Sequence, residues 1–485
     1  MPTTVSTEQT DLVPLCVDLD GTLIKTDLLC ESLVCLLKRN PLYTFMLPLW
    51  WLKGRAFLKR EIGSRVELDV SVLPYHQPLV DFVREEHRRG RPLFLTTASD
   101  RKLAQSVADH LGLFTDVLAS NGETNLRGTQ KLQAMEQRFG PRGFDYAGNS
   151  SADLAVWRGA REAIVVNACP SLETKAARCT KLGPVFPCDS HKFSALFRCL
   201  RPHQWIKNFI IVVPTVTAHK LGEHSLMLLD LWAFAVFCLC ASGVYVVNDL
   251  LDLDADRRHS EKKRRPFAAG DLPLQMGFIL GPWLLLAGAA LAVKLPAPFA
   301  GVVALYFVLT MSYSWWVRQI ALLDVFFLTA LYTIRLIAGH TATGIAYSSW
   351  LLMFSMFIFL SLALAKRYTE LDSVKREGGI KSGATGRGYT TGDLEVVASL
   401  GTGSGYLAAL VLALYVNSPQ VLILYQQPTL LLLICPLLLY WISRVWLIAH
   451  RGEMHGDPVM FALKDWTSYV IGGLALLVLW LATGN

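Results

Sequence analysis

From about residue 205 onward the chain is built of apolar segments of bilayer-crossing length, alternating with short polar loops. In hydrocarbon every backbone N–H and C=O must be satisfied within the protein, so such a pattern restricts this part to a bundle of membrane helices. Nine spans are expected, at 206–218, 229–247, 275–293, 299–316, 320–339, 348–365, 397–416, 428–447 and 467–483. The first is short. Residues 1 to about 195 have ordinary charge density, with strand-like and helix-like apolar runs between turns. The chain therefore divides into a soluble part (1–190), a linker (191–200) and a membrane part (201–485).

Charge sets the expected orientation. The opening MPTTVSTEQTDLVP has neither a basic n-region nor an apolar h-region, which places the soluble part in the cytoplasm. Spans two, four, six and eight then return the chain to that side. Their loops hold Arg257, Arg258, Lys262 to Arg265, Arg318, Lys366, Arg367, Lys375, Arg376, Arg387 and Arg451, whereas the opposite loops GHTATGIAYSS and NSPQVLILYQQP carry no Lys or Arg. A multi-pass protein of the cell (inner) membrane is expected, with both candidate active sites facing the cytoplasm. The net charge of +7 is explained by these loops, and no nucleic-acid partner is expected. The 10 cysteines form no CxxC pair and are expected to be small buried apolar groups.

In the soluble part, LVPLCVDLDGTL reads as a buried strand that ends in two carboxylates. Alternation puts Asp18 and Asp20 on the same side, and Gly21 allows a tight turn. Such a pair can share Mg²⁺ while one attacks phosphorus and the other handles a proton; an acidic strand end is the bland alternative. RPLFLTTASD, NLRGTQKLQAM and FDYAGNSSADLAVW follow in order, and with DLDGT they resemble the haloacid dehalogenase-like phosphohydrolase superfamily. The resemblance implies an α/β Rossmann-like domain with a helical cap at about 28–75. It makes Asp18 the nucleophile and Asp20 the general acid/base. Thr97 and Lys131 would bind the phosphoryl group, and Asp18, Asp20, Asn149 and Asp153 would hold Mg²⁺. Asn149 departs from the family's GDxxxD and removes a negative charge near the metal. In the cap, TFMLPLWWL with its basic flanks suits either a helix at lipid headgroups or a lid packed on its own core.

The end of span two carries VYVVNDLLDLDADRRHSEKKRRPFAAG. In a continued helix, Asp249, Asp252 and Asp256 fall at i, i+3 and i+7, beside Asn248, while Asp254 points elsewhere. Carboxylates sharing one face need a cation, and Mg²⁺ with phosphate partners suits them. This NDxxDxxxD resembles the UbiA superfamily of intramembrane prenyltransferases, which implies Mg²⁺–diphosphate binding by Asn248, Asp249, Asp252 and Asp256 in an all-α nine-helix transmembrane bundle. A second DxxxD after span six is missing. RPHQWIKN, HSEKKRRPFAAG, YSWWVRQIALLDVFFLTALYTIRLIAG, KRYTEL, GRGY and DPVMFALKD resemble instead the polyprenyl-phosphate phosphoribosyltransferases, with Arg318 standing where Lys is expected. The implied partners are polyprenyl phosphate and phosphoribosyl diphosphate; the oligomeric state stays open. Candidate phosphate-binding residues are Lys207, Lys262, Arg265, Tyr313, Arg318, Asp324, Arg335, Lys366 and Arg367. An aromatic prenyltransferase with a regulatory soluble domain is the alternative.

Overall fold

A computed structural model describes residues 12–120, 126–168, 170–187, 192–376, 388–419, 421, 425–454 and 456–483. Arg387, with the first half of GRGY, and the amino-terminal polar segment lie outside them. By packing, the chain forms two units. One joins Met1–Arg201 to Tyr245–Trp283, and the other joins Pro202–Val244 to Leu284–Asn485. The Asp-rich stretch therefore packs with the amino-terminal residues.

The first unit is organised on a six-stranded parallel sheet ordered β3-β2-β1-β4-β5-β6. The strands are β1 (Leu15–Asp18), β2 (Leu93–Asp100), β3 (Asp116–Ser120), β4 (Asp145–Gly148), β5 (Glu162–Ala168) and β6 (Lys181–Pro187). All of β1 is buried, as expected of a strand covered on both faces. Leu15 and Val17 enter one core with Leu93 and Leu95, while Cys16 enters the other with Phe94 and Tyr146. The strand order reverses between β1 and β4. In such sheets the crevice beyond the strand carboxyl ends at that point receives ligands, and Asp18 is the last residue of β1.

TFMLPLWWL packs one side into the segment expected as the cap. Trp50 is buried with Leu36, Ile62 and Val66, and the Arg65 guanidinium lies 5.0 Å from its ring centroid. Leu42, Phe45, Leu49, Trp51 and Leu52 remain exposed. The short helix Leu47–Leu52 thus packs one face into the cap and presents an apolar outer face. The expected linker 191–200 is mostly the helix Lys192–Leu200.

Eight helices among the described residues are long and apolar enough to cross a membrane: His224–Leu251, Leu274–Ala292, Ala297–Trp315, Leu323–Thr343, Ser349–Arg376, Thr391–Val416, Pro428–Arg451 and Trp466–Thr483. The expected span at 206–218 is not such a helix. It forms a 3₁₀ helix, Pro202–Val212, and a single α turn, Val213–Thr217. It runs antiparallel to His224–Leu251. Trp205 Nε1 donates to Ser242 Oγ (2.9 Å), Asn208 Nδ2 to Cys238 Sγ (3.3 Å), and the Phe209 and Phe234 rings stand 4.9 Å apart. A 3₁₀ helix rises about 2 Å per residue against about 1.5 Å for an α-helix, so few residues reach far. The sixth expected span also runs further, to Arg376, and carries Lys366 and Arg367 on a helix rather than in a loop.

Candidate active sites

In the first unit the strand ends bring Asp18, Asp20, Thr97 and Lys131 together. Lys131 Nζ donates to Asp18 Oδ1 (2.6 Å), to Tyr146 Oη (2.9 Å) and to Thr96 O (3.3 Å). Asp20 is one turn beyond, where Gly21 takes φ +74°. A Cβ at Gly21 would come within 2.2 Å of Asn149 Nδ2, which places that side chain against the turn. Asp20 Oδ1 accepts Leu28 N–H (2.8 Å), and its Oδ2 accepts Ser99 Oγ–H (2.5 Å) and Thr97 Oγ–H (3.3 Å). Thr97 therefore orients Asp20, whereas it was expected at the phosphoryl group. Lys59, from the cap, reaches Ala98 O at 2.7 Å.

Asp153 differs most from expectation. Its Oδ2 accepts from Asn149 N (3.1 Å), Ser150 N (2.9 Å) and Ser150 Oγ (2.8 Å), and its Oδ1 accepts from Tyr146 Oη (2.9 Å). Four protein donors saturate the carboxylate, which closes a capping box on the turn Ser151–Asp153. Among the described residues no three acidic, His or Cys side chains stand close enough to hold a metal ion by themselves, here or in the Asp-rich stretch. The expected Mg²⁺ set of Asp18, Asp20, Asn149 and Asp153 does not fit this arrangement, in which protein donors occupy Asp153 and Lys131 holds Asp18.

Burial raises the Asp18 carboxyl to about 7 despite Lys131, and burial and then Asp27 raise Asp20 to about 6. The folded state thus binds these protons more tightly than the unfolded chain, where the value is 3.8. Their stabilising contribution is fully present below the unfolded value and is lost as pH rises through the folded ones. In metal-free buffer the melting temperature is expected to fall between about pH 4.5 and about pH 7.5, and to fall less steeply in Asp18→Asn. Parallel scanning-fluorimetry profiles of the two proteins check this.

The Asp-rich stretch forms a second cluster in this unit. The helix His224–Leu251 ends just before Asp252, and Leu253–Arg258 follows it. Helical bonding carries across the break, with Asp252 N donating to Asn248 O (2.9 Å) and Asp256 N to Asp252 O (2.8 Å). Asp249 and Asp256 share a face, since Arg265 Nη1 reaches Asp249 Oδ1 (3.1 Å) and Asp256 Oδ2 (2.6 Å). Asn248 and Asp252 are half-buried beside them. Burial pushes the Asp256 carboxyl up, against the pull of Arg265. Arg265, expected on substrate phosphate, here bridges the carboxylates. Arg201, a residue not singled out in the sequence, also pairs with Asp249, and its guanidinium lies 5.1 Å from the Tyr245 ring centroid. Asp249 Oδ2 is buried with no hydrogen-bond partner. That orphaned oxygen, on a face shared with a second carboxylate, fits a hard cation that takes its remaining ligands from water and phosphate. Lys262 is half-buried in the turn Lys262–Arg264, while Lys263 and Arg264 are exposed.

In the second unit the expected cations separate into distinct environments. Lys207 and Lys366 both face Asp457 Oδ2, at 2.5 and 3.7 Å. Burial opposes ionisation of Asp457, but the two ammonium groups outweigh it and hold the carboxyl below its usual range. Lys207 also lies 5.7 Å from the Tyr332 ring centroid. Arg335 donates through Nε to Asn208 Oδ1 (2.8 Å) and stands 5.1 Å from the Tyr306 centroid, which accounts for a charge in mid-span. Arg367 is fully buried with Asp324, Nη2 and Oδ2 meeting at 2.7 Å, and Tyr389 Oη donates to Asp324 Oδ1 at 2.6 Å. These two were expected on substrate phosphate; they are instead locked to each other in the core. Tyr313 packs beside the core of Ile211, Phe237 and Tyr306, and Arg318 is half-buried in the turn Val317–Gln319. Asp457, Asn208 and Tyr332 were missed, although DPVMFALKD and RPHQWIKN had drawn attention as motifs.

Residues 209–467 match the UbiA prenyltransferase family. The chain belongs to that family. Among similar proteins, the uncharacterized protein y4nM of Sinorhizobium fredii is 37% identical over 465 residues, 95% of this chain and 89% of its own length. The nodulation protein NoeC of Azorhizobium caulinodans is 38% identical over 289 residues, 59% of this chain and 92% of its own. The decaprenyl-phosphate phosphoribosyltransferase of Mycolicibacterium smegmatis is 36% identical over 189 residues, 38% of this chain and 59% of its own. The UbiA match includes Asp249, Asp252 and Asp256, together with Lys366 and Asp457. Arg201 and Lys207 precede it.

Proposed function

We propose that this UbiA-family chain transfers 5-phosphoribose from phosphoribosyl diphosphate to a polyprenyl phosphate, and that its amino-terminal site then removes the 5-phosphate. The observation that carries the transfer is the pairing of Lys207 and Lys366 on one ionised Asp457. Two ammonium groups gathered on a single carboxylate suit an incoming phosphate, which a neutral aromatic acceptor would not need. The named activity of the Mycolicibacterium relative supports the same reading.

In the transfer, an oxygen of the lipid phosphate forms a bond to the anomeric carbon as the bond from that carbon to diphosphate breaks. Asn248, Asp249, Asp252 and Asp256 would hold Mg²⁺, which when bound neutralises the leaving diphosphate. Arg265 spans Asp249 and Asp256 and Arg201 pairs with Asp249, and both guanidinium groups would turn toward phosphate oxygens. In the second reaction Asp18 attacks the 5-phosphate and becomes an aspartyl-phosphate. Lys131 steadies the phosphoryl oxygens, and Asp20 gives a proton to the departing ribose oxygen. Water then attacks the phosphorus, Asp20 takes back a proton, and phosphate leaves with Asp18 restored. As part of this reading, the 202–217 segment is a ninth crossing, and the amino-terminal unit and both sites face the cytoplasm.

Asp18→Asn tests the second reaction. Given polyprenyl phosphate and labelled phosphoribosyl diphosphate, the variant is expected to accumulate the phosphorylated ribosyl lipid, while the wild type yields ribosyl lipid. The same product from both would remove the phosphatase and favour a regulatory amino-terminal unit.

A further inference from the structure

A buried ion pair ties the Asp-rich stretch to the start of the amino-terminal fold. Arg257 donates through Nη2 to Glu31 Oε1 (2.6 Å) and through Nη1 to Glu31 Oε2 (3.0 Å). The two side chains are 4% and 3% exposed, so the bidentate contact is shielded from water. The same guanidinium gives its Nε–H to Ala268 O (3.1 Å). One side chain thereby joins three segments: the helix Leu28–Arg39 that carries Glu31, the helix Leu253–Arg258 that carries Asp256, and the turn that follows Arg265. Arg265 in turn joins Asp256 to Asp249.

The other end of this linkage is the phosphatase candidate. The first N–H of the helix Leu28–Arg39 is held by Asp20 (2.8 Å), and Asp27 caps the helix by accepting from Leu29 N (2.8 Å) and Cys30 N (3.2 Å). The loop also closes tightly on the strand-exit turn. Gly270 takes φ +75°, and a Cβ there would meet Lys25 Cβ at 2.6 Å. Arg258 with Asp69 and Arg198 with Asp271 add exposed pairs around the same contact.

A buried pair is a poor source of net stability, because desolvation offsets most of its attraction. What it does supply is geometry, since a bidentate guanidinium accepts only one arrangement of its partners. We propose that Glu31 and Arg257 are positioning residues through which the amino-terminal fold sets the diphosphate-binding carboxylates, linking the Asp20 site and the transferase site conformationally. The proposal rests on reading Asp249, Asp252 and Asp256 as the diphosphate site.

The test uses the full chain in nanodiscs with Glu31→Gln, which keeps the shape and removes the charge, and with Arg257→Lys, which keeps the charge and removes the fork. Hydrogen exchange in peptides covering 253–270 is expected to quicken in both. The KM for phosphoribosyl diphosphate is expected to rise by about ten-fold, within the usual range of coupling between sites, while the KM for polyprenyl phosphate stays within about two-fold. In Arg257→Lys, which keeps the charge, the rise in donor KM is expected to be smaller than in Glu31→Gln. Unchanged exchange and unchanged donor KM in Glu31→Gln would overturn the proposal. So would a fall in melting temperature and kcat with no change in donor KM, since that marks a purely structural pair. If the wild type does not turn over phosphoribosyl diphosphate, the functional reading fails separately, and the exchange measurement alone decides the linkage.

Discussion

Asp249→Asn is expected to lower transferase turnover by about 100- to 1000-fold, the range seen when one preorganised charge-stabilising group is removed from an active site. Asp249 is 2% exposed, holds Arg201 and Arg265 on one oxygen and keeps the other oxygen unpartnered. Asparagine has neither the charge to balance two guanidinium groups nor a second acceptor for a cation. Breaking one side of a buried pair costs about 3–5 kcal/mol when the remaining charge is stranded. Here both arginines are partly exposed and retain water, so much of that cost is relieved. The expected signature is a collapse of kcat with a modest fall in melting temperature. Steady-state kinetics beside a thermal melt of the same preparation checks it.

Asp324→Asn is expected to have the larger effect on stability. Arg367 and Asp324 are both 0% exposed, and in the second unit Arg367 has only one other acidic neighbour within ion-pair range, Glu370, among the described residues. The variant leaves the buried guanidinium with the partly exposed Glu370 alone, at a cost of up to about 3–5 kcal/mol, which lowers the melting temperature of a chain this size by roughly 3–5 °C. The double replacement Asp324→Leu with Arg367→Met removes both charges and is expected to recover most of that loss. Thermal unfolding in detergent of the single and double variants measures both. A double variant no more stable than the single one would show that the pair does more than balance charge.

What the sequence made legible was set by local periodicity. The apolar alternation around LCVD placed Asp18 at a strand end, and the parallel sheet brings Lys131 to it at 2.6 Å from 113 residues away. The i, i+3, i+7 spacing placed Asp249 and Asp256 on one face, which Arg265 spans. Properties that depend on the partner rather than the spacing were hidden. Asp153 sits where a metal ligand was expected, but its oxygens cap a turn that no period announces. Lys366 and Arg367 are neighbours in sequence, yet consecutive helical side chains diverge by about 100°, so one meets Asp457 and the other Asp324. Arg201 lay outside any periodic segment, at φ +51°, and its role appears only when the chain folds back along His224–Leu251. The segment expected as the first span is not one long α-helix, since Pro202–Val212 is a 3₁₀ helix, whereas a helical search assumes 3.6 residues per turn.

The central claim is that the lipid phosphate is the nucleophile and phosphoribosyl diphosphate the donor. Purified wild-type protein in nanodiscs, given Mg²⁺, polyprenyl phosphate and ribose-labelled phosphoribosyl diphosphate, tests it most directly, with the lipid extract read by mass spectrometry. The account predicts label in the lipid phase as polyprenyl-phosphoryl-ribose, one equivalent of diphosphate released per transfer, and loss of both in Asp249→Asn. Label confined to the aqueous phase, with diphosphate released instead from a polyprenyl diphosphate in the presence of an aromatic acceptor, would contradict it.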